Sequence, residues 1–135
     1  MDIYEAGSRA SAHAPAKYFT GVVRQDPVVE APAPARVRAV TVTFERGSRT
    51  HWHTHPLGQT LVVLSGLGLV QTWDDAPREI RPGDTVWIPP GEKHWHGASA
   101  DVAMSHIAIH EALDGVHVDW LEEVDDAQYA MPATG

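Results

Sequence analysis

The stretch Gly47-Ser48-Arg49-Thr50-His51-Trp52-His53-Thr54-His55-Pro56-Leu57-Gly58-Gln59-Thr60-Leu61-Val62-Val63-Leu64-Ser65-Gly66 decides how this chain is read. In an extended segment, residues two apart point to the same side, so His53 and His55 project onto one face. His51 shares their parity if the strand stays regular that far back. Pro56-Leu57-Gly58 turns the chain, and Gln59 opens a second strand on which it can face the same interior. Further on, Gly83-Asp84-Thr85-Val86-Trp87-Ile88-Pro89-Pro90-Gly91-Glu92-Lys93-His94 returns a strand carrying His94, with His96 two residues later on the same side. Three imidazoles and a side-chain carbonyl oxygen turned into one interior suit a transition-metal ion. Burying so many histidines without a shared partner would be costly, which weighs against reading them as independent core or surface residues.

Outward from this stretch the chain reads as short strands between turns. Val37 to Phe44 alternates, with Val40, Val42 and Phe44 on one face. Leu67 to Trp73, Glu79 to Arg81, Thr85 to Ile88, His94 to His96 and Val102 to His110 follow, separated by Gly, Pro and Asp clusters. Such spacing predicts an all-β sandwich or barrel. Residues 1–36 form an arm, whose Ala-Pro stretch from Glu30 to Ala35 excludes helix. Its segment Tyr18 to Val23 has strand chemistry, so the arm is expected to pack on the barrel, residues 37–135, or to exchange with a partner. Asp119 to Val124 is expected to form a short C-terminal helix. His13 and His117 read as surface residues, and Lys93 as exposed. Trp52 and Trp95 alternate with the histidines and should face into sheet packing.

The chain has 135 residues, the size of one domain, of which 43% are hydrophobic and 21% charged, ordinary for a soluble protein. Ten basic against eighteen acidic residues give a net charge of −8, which argues against a nucleic-acid or anionic-membrane partner. Without cysteine, disulfide scaffolds, thiolate catalysis and Cys-ligated metals are excluded. The longest aliphatic run, Leu61 to Leu64, is far short of a membrane span. The start, Met1-Asp2-Ile3-Tyr4-Glu5, lacks the basic and apolar pattern of a secretion signal, and a cytoplasmic location is expected.

Gly47, His53, His55, Gln59 and Gly66, followed by Gly83, Pro89, Gly91 and His94, resemble the paired motifs of the cupins, small β-barrel proteins. Gln59 stands where that family usually has Glu, and Ala98 where the second motif closes on Asn. The resemblance implies a single-domain double-stranded β-helix, or jelly-roll barrel, with His53, His55, Gln59 and His94 as metal ligands. It narrows to a bacterial group that includes manganese-dependent (R)-hydroxynitrile lyases, through Thr50 to Thr60, Pro89 to Ala98, Phe19-Thr20-Gly21, Leu113-Asp114-Gly115 and Asp119-Trp120. It implies Mn(II), with Fe(II), Zn(II) or Ni(II) as alternatives, and a role beside the metal for His96 and His106. Replacing the carboxylate by an amide leaves the ion's double charge uncompensated, so the ion should be held less tightly and should favour anionic species more strongly.

The leading expectation is therefore a lyase that cleaves or forms cyanohydrins from an aldehyde and cyanide, with His106 or His96 taking the hydroxyl proton. Val40, Val42, Phe44 and Leu61 are candidates for the apolar wall of the substrate pocket. Ala108 would leave space there between His106 and His110, provided that face of the strand turns inward. An iron dioxygenase and a non-enzymatic small-molecule-binding domain are the alternatives. The strand edges and the arm lead to the expectation of a homo-oligomer, a dimer or tetramer.

Overall fold

Alternating apolar and hydroxyl side chains, broken by glycine and proline, give strands and one helical turn in the computed structural model, which describes residues 1–134. In chain order these are β1 (Ala12–His13), β2 (Phe19–Thr20), β3 (Val23–Glu30), β4 (Val37–Phe44), β5 (Arg49–Thr50), β6 (His53–Thr54) and β7 (Gln59–Gly66). Then come β8 (Gly68–Thr72), β9 (Arg78–Ile80), β10 (Thr85–Ile88), β11 (His94–Ala98), β12 (Met104–Glu111), β13 (Asp119–Trp120) and α1 (Asp126–Tyr129). They make two antiparallel sheets, the arrangement of a jelly roll. One is ordered β1-β3-β4-β12-β7-β10. In the other, β11 pairs with β5 and β6 along one edge and with β8 along the other, while β2, β13 and β9 extend it.

Register decides which side chains meet inside. His106 lies opposite Val42 and Val63, Ala108 opposite Val40 and Leu61, and His110 opposite Arg38 and Gln59. Met104, His106 and Ala108 are buried, whereas Ser105, Ile107 and Ile109 on the other face are only half-buried. The Met104–His110 face is therefore the inward one. In the second sheet, His53 lies between His94 and Trp120.

The main core draws on both sheets: Val42, Phe44, Val63 and Met104 from one, Phe19, Val70, Ile80 and Ala98 from the other. Each of these side chains except the small Ala98 contributes about 1.5–3 kcal/mol by leaving water. Trp52 and Trp95, 1% and 0% exposed, form a separate cluster with Leu69 and Val124. That cluster lies on the opposite face of the second sheet from the histidines, under the C-terminal segment. Arg49 ties this segment down: its guanidinium donates to the Val124 carbonyl at 2.9 Å and to Asp126 at 3.0 Å, and lies over the Tyr129 ring. Lys93 is less exposed than expected, because its ammonium sits 3.4 Å above the Trp73 ring centroid and bonds Glu122 at 2.9 Å.

One sequence reading changes. The C-terminal helix falls on Asp126–Tyr129, where Asp125 and Gln128 form a capping box. The expected helical segment instead begins with β13, because Trp120 pairs with His53 across the sheet. The segment before residue 37 supplies strands to both sheets: β3 pairs along β4, and β2 pairs with β5. Gly66 is required by its surroundings, since at φ +81° a β-carbon would overlap the Ala103 carbonyl oxygen.

Candidate metal centre

β6, β7 and β11 bring the histidines and the glutamine together. His53 and His55 leave β6 and the turn after it, Gln59 opens β7 opposite Ile88 and His110, and His94 and His96 come from β11. One ring nitrogen from each of His53, His94 and His96 lies within 4.8 Å of the others. Ring centroids of His53 stand 4.1 Å from His94 and 5.1 Å from His55. His53, His55, Gln59, His94 and His96 are each no more than 4% exposed.

The outer hydrogen bonds fix which atom each ring offers. His53 Nδ1–H donates to the His51 carbonyl at 2.8 Å, His94 Nδ1–H to the Glu92 carbonyl at 2.9 Å, and His55 Nδ1–H to the His117 carbonyl at 2.6 Å. A carbonyl oxygen only accepts, so the proton is on Nδ1 and Nε2 keeps its lone pair, as metal-ligating histidines require. His55 Nε2, His94 Nε2, His96 Nε2 and Gln59 Oε1 are buried without a hydrogen-bond partner. Such atoms are costly to leave unsatisfied, and a divalent cation beside His53 satisfies those of His55, His94 and Gln59 at once. The residues fit a metal ion.

His96 differs from the other three. Its Nδ1 meets Nε2 of His106 at 2.9 Å, a fully buried imidazole pair that leaves either ring free to be the donor. Burial holds all these rings neutral near pH 7. It pushes His94 and His106 down to about 4, and His53 and His96 well below their ordinary value, helped for His96 by His106 and for His53 by His94. His110 is pushed down to about 3, by burial first and then by His55, His117 and Arg38.

A cavity of about 580 Å³ opens beside these donors. Its apolar wall includes Phe19, Val29, Val40, Val42, Ala108 and Trp120, and His53, His55, Gln59, His96 and His110 also face it. Four sequence-selected residues lie elsewhere. Phe44 is packed in the main core against His96 and His106, and Leu61 is in a cluster with Ile88 and Ala108, so neither lines the pocket. His94 sits behind the cavity surface. His106, expected as a base at the substrate, is screened from the cavity by its partner His96. His51 contributes its backbone carbonyl, and its ring is not on the cavity wall.

Other residues escaped the sequence reading. His117, which reads as a surface residue in the sequence, is half-buried, lines the cavity, stacks on His110 at 4.9 Å and orients His55 through its backbone carbonyl. Trp120 packs 4.8 Å from the His53 ring, and the arm contributes Gln25, Pro27 and Val29. The one available signal for His117 was the Leu113-Asp114-Gly115 turn, where Asp114 and Gly115 adopt positive φ and bring the chain back.

A cupin domain family model matches residues 40–110. The chain is 58% identical over 129 residues to a protein of Granulicella tundricola named (R)-mandelonitrile lyase, covering 96% of this chain and 98% of that one. Among solved structures it is similar to a cupin-like protein from Thermotoga maritima, with a TM-score of 0.83 and 37% identity over 96% of this chain and 95% of that one. A cupin-2 domain from Rhodospirillum rubrum shares the fold at TM-score 0.73 and 18% identity, covering 96% and 90% of the two chains.

Proposed function

The chain belongs to the cupin domain family, and from that premise we propose that it is a metal-dependent hydroxynitrile lyase acting on cyanohydrins such as (R)-mandelonitrile. What carries the reading is one observation: the buried, partnerless donor atoms of His55, His94 and Gln59 converge beside His53 in a chain so similar, over nearly its whole length, to an (R)-mandelonitrile lyase. His53, His55, His94 and Gln59 would hold the ion, which we take to be Mn(II), although the same donors accept Fe(II), Zn(II) or Ni(II). The outer hydrogen bonds support this choice, because each of the three imidazoles has its Nδ1 proton committed to a backbone carbonyl. Bound there, the ion supplies Lewis-acid stabilisation of developing negative charge.

The base in this reading is His96, the ring of the His96–His106 pair that faces the cavity. With its proton on Nδ1, donated to His106 Nε2, its own Nε2 is free to take the cyanohydrin hydroxyl proton. As the O–H electrons form the carbonyl, the carbon–carbon bond breaks and its electron pair leaves with cyanide. His96 Nε2 then returns the proton to cyanide, giving aldehyde and hydrogen cyanide. His106 is a positioning residue: by accepting the Nδ1 proton at its own Nε2 it fixes the His96 tautomer and the direction of the ring. Phe19, Val40, Val42, Ala108 and Trp120 would hold the aryl group away from water.

The outward face carrying Trp87, Leu64, Val62, Ile107 and Ile109 supports assembly as a homo-oligomer, a dimer or tetramer, with Trp87 59% and Leu64 47% exposed. The decisive experiment loads purified protein with manganese and measures benzaldehyde and cyanide release from mandelonitrile. Stoichiometric metal without cyanohydrin cleavage, but with oxygen consumption, would replace the lyase by an oxygenase.

A further inference from the structure

The cavity has a second polar end that cyanohydrin cleavage does not use. Arg38 on β4 donates from Nη1 to His117 Nδ1 at 2.9 Å. A guanidinium only donates, so His117 Nδ1 is an acceptor and the neutral ring carries its proton on Nε2. His117 is stacked on His110 at 4.9 Å and 9°, and His110 on His55 at 5.3 Å and 22°. Two imidazole rings therefore separate the Arg38 guanidinium from the candidate metal ligand His55. The buried His110 Nδ1 has no partner. Since orphaned buried N–H groups are rarer than orphaned acceptors, its proton belongs on Nε2. Arg9 also lines the cavity, lying over the Tyr4 ring at 4.5 Å and bonding the Val28 carbonyl at 3.0 Å. The charge set against these donors is Glu30, whose Oε1 is 3.2 Å from Arg38 and whose side chain is 73% exposed. An exposed surface partner of this kind is held weakly and is replaced at little cost.

We propose that this end is a carboxylate subsite: the substrate carries an anionic group remote from its reacting carbon, and Arg38 with His117 recognises it in exchange for Glu30. Two observations carry the proposal. The wall presents donors, N–H groups on two stacked rings and two guanidiniums, and these suit an acceptor-rich group. With one carboxylate against two arginines the mouth is locally positive, in a chain whose net charge is −8. A planar carboxylate also matches a guanidinium fork better than a hydroxyl or amide does. Only the identity of the reacting end rests on the lyase reading.

The test begins with metal-free protein, so that the subsite is read without turnover. Binding of 4-(hydroxymethyl)benzoate and of its uncharged amide is measured by titration calorimetry. The acid should bind about tenfold tighter or more, the worth of a charge-assisted hydrogen bond. Arg38→Gln should bring the ratio to within about twofold, and Glu30→Gln should raise it by removing the competitor. Equal binding of acid and amide by the unmodified protein overturns the proposal and needs no variant. So does a ratio that survives Arg38→Gln or falls in Glu30→Gln. Turnover of the cyanohydrin of 4-formylbenzoate and of its amide by manganese-loaded protein separates the two readings. Acid-selective binding without turnover of either leaves the subsite standing and removes the lyase. Turnover without acid selectivity in binding or rate does the reverse.

Discussion

Acid should unfold the metal-free protein, and the structure sets how much. His94 and His106 are both 0% exposed, and burial pushes each from 6.5 down to about 4. Between those pH values the unfolded chain holds a proton on each ring and the folded protein does not. Stability therefore rises with pH across this window, is fully present above 6.5, and is lost as pH falls towards 4. The gap is worth roughly 3 kcal/mol for each group, at about 1.4 kcal/mol per tenfold change in proton affinity. Two such groups cost about 6 kcal/mol together, comparable with the ~5–15 kcal/mol that holds a domain folded. His53 and His96 shift in the same direction and add to the loss. Urea midpoints of chelator-treated protein, followed by circular dichroism from pH 7.5 to 4.5, should be level above pH 7 and then drop steeply. Saturating manganese should move the drop to lower pH, because ion and proton compete for the same nitrogens. A midpoint unchanged between pH 7 and 5 would show that these rings are not buried in their neutral form.

Four substitutions divide the site by role. His53→Ala should lose metal and cyanohydrin cleavage together, as read by elemental analysis alongside the mandelonitrile assay. His96→Ala should keep its metal yet turn over about 10²–10⁴-fold more slowly, and His106→Ala should show a smaller rate loss with an altered pH–rate profile. Equal metal content with undiminished rates in both would remove the base from this pair. Gln59→Glu should raise manganese affinity about tenfold or more in a chelator competition, since the new carboxylate compensates the ion's charge; weaker binding would place Gln59 outside the ligand set. Gly66→Ala should destabilise the fold by about 2–4 kcal/mol in urea unfolding, from positive φ and overlap with the Ala103 carbonyl. An unchanged midpoint would mean that the turn can relax.

Much of this was legible because a strand's period of two is rigid. His53 with His55, and His94 with His96, could be placed on common faces from spacing alone. The alternation of Trp52 and Trp95 with those histidines likewise put the indoles on the opposite side, where they are buried. What spacing cannot convey is depth. His106 and His110 share a face of β12, but one sits behind His96 in the core and the other on the cavity wall. The same limit applies to Phe44 and Leu61, which have inward parity but lie away from the space a substrate could occupy. Contacts that depend on the chain's return were also invisible. His117 reads as an ordinary polar residue until the turn at Asp114 and Gly115 carries its carbonyl back to His55. Trp120 reads as helical in the sequence because its acidic neighbours suit a helix start, and cross-strand pairing with His53 outweighs that local preference.

The stretch matching the family model ends at residue 110, while the cavity is lined from both sides of it, by Tyr4, Arg9, Gln25, Pro27 and Val29 before and by His117, Val118 and Trp120 after. The proposed ion-binding donors and the proton-carrying pair all fall inside the matched stretch. The flanks thus encode much of the cavity mouth but no proposed donor atom, while Val40, Val42 and Ala108 of the inner wall lie within the matched stretch. Mutations in the first thirty or so codons, or in those just past the matched segment, can redraw the mouth without moving a donor atom. Under the proposed function, lineages could diverge in the substrates they accept while the donor set stays unchanged, and an engineer could exchange the flanks as cassettes. His117 is the restriction on that freedom: its ring belongs to the mouth, but its backbone carbonyl holds His55, so a transplanted C-terminal flank must reproduce that carbonyl's position.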